Sequence, residues 1–218
     1  MKQKNKLRFL ILTAAATLGL ALTASAQSAT ASVPESAPTP YWGLLGTSYT
    51  GVAFNYTQLD AGAPSALRGA ELTFNQPLSA GLDLNLGYDW GRASAGSVRL
   101  TDQDLNLGAT AFTKLDWGRP FVQALAGWEW RRGAGVSDSS FAYTLGTGVE
   151  FQVAQPFLLT PYVNFVRATG FNRSEFDLGV KGTYRLTKEW SLTAGLQYDA
   201  VRHDKDAKEF TLGVNYQY

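Results

Sequence analysis

The sequence predicts an all-β fold, a closed antiparallel up-and-down β-barrel, and three observations support that class. Segments of about ten residues alternate bulky apolar side chains with small or polar ones, which is the period of a strand with two different faces. Turn residues separate these segments, and the pattern repeats ten times, an even number that brings both chain ends to one side of a barrel. The 22 Gly, 6 Trp, 10 Tyr and 12 Phe suit many short strands joined by tight turns.

Ten alternating segments account for most of residues 41–218. In order, they cover residues 43–58, 67–75, 82–91, 98–114, 122–131, 141–151, 157–167, 176–186, 190–199 and 209–218. The third is the most regular, with Leu84 and Leu86 on one face and Asn85 and Gly87 on the other, a pattern that a helix does not produce. The seventh is the least regular, because Pro161 cannot donate a hydrogen bond to a ladder. The alternative is an eight-stranded barrel, in which two of the ten segments are merged into their neighbours.

The breaks between segments predict the topology. If both chain ends are periplasmic, alternate breaks are extracellular, namely those near residues 60–66, 92–97, 132–139, 168–173 and 203–208. The remaining breaks, near residues 76–80, 115–120, 153–156 and 187–189, are then periplasmic.

Residues 1–26 are predicted to be a secretory signal peptide. Four basic residues among the first eight precede an apolar run from Phe9 to about Leu22, and small residues at 24–26 form a cleavage site. The alternative, a membrane anchor, needs about 20 apolar residues, more than this run contains. Residues 27–40 include three prolines and few bulky apolar side chains, so we expect a flexible periplasmic leader before the barrel of residues 41–218.

Charge and cysteine content exclude several classes of function. Removing the four basic residues of the signal peptide leaves 15 of the 19 Lys and Arg against 18 Asp and Glu, a negative balance that argues against nucleic-acid binding. The chain has no cysteine, which excludes disulfides, thiolate metal sites and a cysteine nucleophile.

Aromatic residues concentrate at the segment ends, which predicts that the apolar face points outward into lipid. Two bands of rings would mark two membrane interfaces, whereas a soluble core would bury large rings centrally. Glycines on the polar face would relieve crowding inside a narrow barrel. The predicted girdle comprises Trp42, Tyr88, Trp90, Trp128, Trp130, Phe141, Tyr143, Phe151, Trp190, Tyr198, Tyr216 and Tyr218. The alternative, an apolar interior, would make the chain a secreted soluble carrier of a hydrophobic ligand.

The last segment carries a motif of its own. Thr211, Gly213, Tyr216 and the terminal Tyr218 resemble the C-terminal assembly signal of bacterial outer-membrane β-barrels. With the alternation that precedes it, the chain resembles the small outer-membrane β-barrels of the OmpA/OmpX and porin-like superfamily. That resemblance implies location in the bacterial outer membrane and insertion by the barrel-assembly machinery, but no particular activity.

The polar face predicts a charged lumen. Its charged residues are Glu71, Asp83, Asp89, Asp104, Lys114, Glu129, Arg131, Glu150, Asp177, Lys181, Arg185, Asp199 and Glu209. Charges inside a narrow barrel need partners, and a barrel of about ten strands is nearly filled by its side chains. We therefore expect a mostly occluded, structural lumen. The alternative is a narrow conductance that prefers cations, because acids outnumber bases.

Basic residues concentrate near the predicted extracellular end. Ten of the 15 Lys and Arg that follow the signal peptide lie there: Arg68, Arg92, Arg99, Arg131, Arg132, Arg167, Arg173, Arg202, Lys205 and Lys208. Arginine pairs well with phosphate, so contact with lipopolysaccharide is one hypothesis, and charged solvated loops are the other.

No catalytic or cofactor site is predicted. The single histidine, His203, has acidic neighbours at a predicted extracellular strand end, as an outer-membrane hydrolase would require. However, lipid-A deacylases have a Ser two residues after the His, where this chain has Lys205, and its connections are short. The sequence has no metal-ligand pair, nucleotide loop or redox motif. We therefore expect a protein that is not an enzyme.

Overall fold

A computed structural model describes residues 41–60, 66–95, 98–133, 135–202 and 206–218. The predicted signal peptide and leader, together with His203 and Lys205, lie outside the described residues. The strands are β1 (Tyr49–Leu59), β2 (Ala66–Ser79), β3 (Leu82–Ala95), β4 (Val98–Phe112), β5 (Arg119–Gly133), β6 (Val136–Ala154), β7 (Phe157–Ala168), β8 (Arg173–Arg185), β9 (Trp190–Arg202) and β10 (Ala207–Gln217). Within the described residues, no helix is long and apolar enough to cross a membrane.

The ten strands form one closed antiparallel barrel. Each strand pairs with its neighbours in sequence, and β1 pairs with β10 from Tyr49 opposite Gln217 to Leu59 opposite Ala207. This confirms the predicted up-and-down barrel, and the eight-stranded alternative is wrong. Because β1 begins where β10 ends, we call that side of the barrel the terminal end and the opposite side the distal end.

The apolar face of the barrel points outward. Leu72, Val122 and Leu196 are 50%, 58% and 61% exposed. Polar residues take the opposite positions, and Asp83 and Ser191 are 0% exposed. A soluble barrel would reverse these two faces, so the arrangement contradicts a soluble carrier with an apolar interior.

The closing seam uses the residues of the predicted assembly signal. Gly213 lies opposite Ala53, and a Cβ atom at Gly213 would approach the Ala53 Cβ to 2.7 Å and the Val52 carbonyl oxygen to 2.8 Å. A glycine at this inward position therefore lets β10 lie close to β1. On the outer face, the Tyr216 ring lies 4.9 Å from the Trp190 ring and 6.2 Å from the Tyr218 ring.

Two segments depart from the regular pattern. The first strand begins at Tyr49, later than the predicted start at residue 43, because residues 41–48 turn into the barrel. The ladder between β6 and β7 has a gap between the pairs Gly148–Tyr162 and Phe151–Leu159, and its register shifts between Gln152 and Ala154. Pro161 lies within this interruption, as expected for a residue without a backbone N–H.

Candidate functional site: the barrel lumen

Residues 41–48, which we call the inner segment, enter the lumen at the terminal end. Its backbone N–H groups donate hydrogen bonds to buried side chains: Gly46 N to Asp83 Oδ2 at 2.8 Å, and Leu44 N to Glu150 Oε2 at 3.0 Å. Asp83 is 0% and Glu150 3% exposed, so each carboxylate needs such donors. The inner segment thus supplies partners that the barrel wall leaves out.

Two glycines allow the inner segment to approach the wall. Gly46 has a φ of +76°, and a Cβ atom there would lie 2.9 Å from Cζ of the buried Phe112. A Cβ atom at Gly43 would overlap with the Glu150 carboxylate. Both positions therefore require glycine, one for its backbone conformation and both for space.

Aromatic residues of the inner segment pack against arginines. The Arg119 guanidinium lies 4.1 Å from the ring centroid of Tyr41 and donates a hydrogen bond to the Leu45 carbonyl oxygen. The Tyr41 hydroxyl donates to the Glu150 backbone oxygen at 3.0 Å. Burial raises the pKa of Tyr41, and the negative charge of Glu150 raises it further, so Tyr41 remains a neutral donor.

Trp42 differs from the prediction. It is 7% exposed, and the Arg185 guanidinium lies 5.4 Å from its ring centroid. It therefore lies inside the terminal end and is absent from the outer girdle. Trp117 and Tyr184, which the sequence analysis did not include, are 49% and 48% exposed near the terminal end.

At mid-height, one lysine and one tyrosine cross the lumen. Lys181 Nζ lies 5.6 Å from the Tyr162 ring centroid. The Tyr162 hydroxyl donates to Gln197 Oε1 at 2.7 Å, and Gln197 Nε2 donates to Asp199 Oδ1 at 2.7 Å. This chain of hydrogen bonds joins β7 to β9.

Four carboxylates form a row on neighbouring strands. The register places Glu71 opposite Asp89, Asp89 opposite Asp104, and Asp104 opposite Glu129. Like charges directly opposite each other are destabilising, so each carboxylate requires a compensating contact. The closest donors are Thr73 Oγ1 to Glu71 at 3.1 Å, Asn55 Nδ2 to Asp89 at 3.2 Å, Asn106 Nδ2 to Asp104 at 2.8 Å and Arg173 Nη2 to Glu129 at 2.6 Å.

Two inward arginines neutralise part of the charge at the distal end. Arg173 pairs with Glu129 at 2.6 Å and with Glu175 at 3.6 Å. Arg131 pairs with Asp102 at 3.2 Å, and its guanidinium lies 4.8 Å from the Phe171 ring centroid. At the distal end, Glu129, Glu175 and Asp102 therefore pair with cations from the strands, whereas Asp83 and Glu150 at the terminal end also accept hydrogen bonds from backbone N–H groups of the inner segment.

Two cavities lie in the lumen between described residues. The distal cavity has a volume of about 300 Å³, and the cavity at the terminal end has about 250 Å³. Gln197 is the one described residue that lines both. Leu44 and Leu45 of the inner segment line the second cavity, so the segment bounds the space at that end.

The structure places most of the predicted lumen charges on the inward face of the strands. Twelve of them occupy inward strand positions: Glu71, Asp83, Asp89, Asp104, Glu129, Arg131, Glu150, Asp177, Lys181, Arg185, Asp199 and Glu209. Lys114 does not, because β4 ends at Phe112 and Lys114 is exposed in the following turn. The sequence analysis missed the inner segment, and the paired glycines at 43 and 46 were the signal that could have revealed it.

Structural comparison identifies the fold. An outer membrane channel from Pseudomonas putida F1 has a TM-score of 0.53 at 12% identity, covering 86% of this chain and 100% of that chain. The translocator domain of the autotransporter NalP from Neisseria meningitidis has a TM-score of 0.47 at 9% identity, covering 99% and 98%. Neisserial surface protein A has a TM-score of 0.44 at 14% identity, covering 78% and 96%. No protein-family model matches the sequence, and no curated protein matches it either.

The chain is a small β-barrel of the outer-membrane class. At 12% identity, the similarity to the channel shows the fold alone. The direction of the two faces gives the environment, because bulky apolar side chains outside and polar ones inside are stable only when lipid surrounds the barrel. The bacterial outer membrane is the location that this fold and this outer surface define.

Proposed function

We propose that the chain is a non-enzymatic outer-membrane protein that forms a narrow, cation-preferring conductance. The main support for this proposal is the lining of the distal cavity, which includes seven carboxylates and a single arginine. These residues are Asp89, Asp102, Asp104, Glu129, Glu175, Asp199 and Glu209, with Arg173. A polar cleft lined by one sign of charge concentrates ions of the other sign, so cations would enter this cavity in preference to anions.

The dimensions of the lumen support passage of ions and very small solutes. The two cavities of about 300 and 250 Å³ share Gln197, and side chains such as Tyr162 and Lys181 cross the space next to it. A barrel of about ten strands lies between those filled by their own side chains and the wide pores of about 16 strands. The channel from Pseudomonas putida F1 shares the fold, which is compatible with conduction.

The second candidate is a structural barrel whose lumen stays closed. The inner segment favours it, because its hydrogen bonds to Asp83 and Glu150 hold it in the terminal end. The two candidates differ in one measurable quantity, the conductance of a single inserted barrel.

Planar bilayer recording tests the proposal. We expect small unitary conductance, and a reversal potential in a KCl gradient that indicates cation preference. The Asp104→Asn, Asp199→Asn variant, which loses two cavity carboxylates, should prefer cations less. The matched control, Asp60→Asn with Asp138→Asn, removes two exposed carboxylates outside that cavity and should keep the original preference. An inserted, folded barrel without conductance would support the structural candidate.

The non-enzymatic part of the proposal has a separate test. His203 is the only histidine of the chain. If the purified protein hydrolysed lipid or peptide substrates and His203→Ala abolished that activity, the proposal would be wrong. We expect the wild-type protein and the variant to be equally inactive.

A further inference from the structure

A row of arginines crosses the outer surface at the distal end, from β2 to β5. The register places Arg68 opposite Arg92, Arg92 opposite Thr101, and Thr101 opposite Arg132. All three arginines are exposed, and each alternates with an inward neighbour. We call Arg68, Arg92 and Arg132 the arginine row. Arg99 lies two pairs farther toward the distal end, opposite Ser94.

The arginine row has no anionic partner among the described residues. The ion pairs of that part of the chain involve Arg131, Arg173 and Lys208, none of which belongs to the row. Arg68 and Arg92 even lie directly opposite each other, and like charges in that position destabilise a sheet. An external anion would remove this penalty.

The position of the arginine row relative to the membrane indicates what that anion is. The next outward level toward the terminal end contains Trp90 and Trp130, and the level below that contains Tyr88 and Trp128. Trp and Tyr side chains concentrate where lipid tails meet head groups. The row lies two residues beyond the first of these levels, roughly 7 Å along a strand, which is the depth of lipid head groups.

We propose that the arginine row binds the phosphates of a lipid head group and that the lipid is lipopolysaccharide. From Arg68 to Arg132 the row spans three inter-strand spacings, about 14 Å, which is wider than a single phosphodiester. A glycolipid with two phosphates can contact both ends of such a row. Arginine suits this role because its planar guanidinium forms bidentate hydrogen bonds with phosphate.

Other basic residues at the same end serve as controls, because they already have partners or lie on another side. Lys208 pairs with Asp60 at 3.3 Å, and Arg167 donates to Ser174 Oγ at 2.6 Å and to Asn172 Oδ1 at 3.0 Å. Arg202 lies on β9, away from β2 to β5. Replacing Arg167, Arg202 and Lys208 removes three positive charges from the distal end and leaves the arginine row intact.

The experiment compares three variants of the full mature chain in detergent, with purified lipopolysaccharide as the probe. Arg68→Ser, Arg92→Ser, Arg132→Ser should bind lipopolysaccharide about tenfold more weakly or worse than wild type. Arg167→Ser, Arg202→Ser, Lys208→Ser should bind as wild type does. Replacing the row by lysines keeps the charge and loses the bidentate geometry, so binding should be intermediate.

Four outcomes would overturn the proposal. The first is an equal loss of lipopolysaccharide affinity in the two serine variants, and the second is unchanged binding of enzymatically dephosphorylated lipopolysaccharide by the wild-type protein. The third is equal affinity of the wild-type protein for phosphatidylglycerol vesicles and for lipopolysaccharide. The fourth is wild-type affinity for lipopolysaccharide in a folded lysine variant. Gel mobility of unboiled samples establishes folding for each variant. If the serine variant of the arginine row does not fold, the lipopolysaccharide affinity of the lysine variant, compared with that of the wild type, tests the proposal. None of these results depends on whether the lumen conducts.

Discussion

The two ends of the lumen bury carboxylates in different ways. At the terminal end, Asp83 and Glu150 accept hydrogen bonds from backbone N–H groups of the inner segment. At the distal end, Glu129 pairs with the guanidinium of Arg173, which is part of a strand. A partner on a strand is fixed by the barrel ladder, whereas the inner segment lies outside the ladder and is held by contacts with side chains.

This difference suggests different roles for the two ends. The arginines at the distal end keep buried carboxylates paired, because removing either arginine would leave a buried charge without its partner. The inner segment closes the opposite end with neutral donors, and closure there depends on a short stretch of chain. Three variants test this comparison, from the largest expected effect to the smallest.

Deleting residues 41–47 should produce the largest change. It removes Leu44 and Leu45 from the boundary of the terminal-end cavity, so unitary conductance in planar bilayers should rise several-fold. An equal deletion of residues 30–36 in the predicted leader is the control and should leave conductance unchanged. If the two deletions behave alike, the inner segment does not close the lumen.

Replacing Arg173 by Gln should destabilise the barrel by about 3 kcal/mol, because it leaves the buried Glu129 without its closest cationic partner. Urea unfolding of protein in lipid vesicles, followed by tryptophan fluorescence, measures this change. The control is Lys208→Gln, because Lys208 and Asp60 have 60% and 41% exposed side chains and such pairs contribute about 0 to 1 kcal/mol. Equal losses of stability in the two variants would contradict a larger contribution from the inward Arg173–Glu129 pair.

Replacing Gly46 by Ala should have a smaller effect, about 1 to 2 kcal/mol of backbone strain at its positive φ, with an additional clash against Phe112. The expected readout is more frequent opening in bilayer recordings. Gly135→Ala is matched for backbone conformation, since Gly135 has a φ of +80° and open space where a Cβ atom would lie. Identical gating in the two variants would show that contact with Phe112 does not hold the inner segment.

The barrel was predictable from the sequence because its signal is local. Alternation within each segment defines the strand and its two faces without knowledge of its partners, and adjacent residues such as Arg131 and Arg132 are sorted to opposite faces by position alone. Lys114 shows the limit, because the alternating pattern continues past Phe112, where β4 ends.

The inner segment was not predictable because its conformation depends on distant residues. The sequence predicts a first strand from residue 43, whereas β1 begins at Tyr49 and the preceding residues turn into the barrel. The partners of Gly46 and Leu44 lie 37 and 106 residues away in the sequence. Arg173 and Glu129 are 44 residues apart, and only the register across several strands brings them together.

The pairing of the first strand with the last also constrains how the molecule forms. Every other ladder joins neighbours in sequence, whereas this one must bring together the two ends of the sheet and is slow to form for that reason. Until β10 pairs with β1, the sheet has two edge strands with unpaired backbone N–H and C=O groups. In lipid, no water is present to form hydrogen bonds with these groups. Membrane insertion and barrel closure must therefore be coupled, and pairing of β10 with β1 completes both.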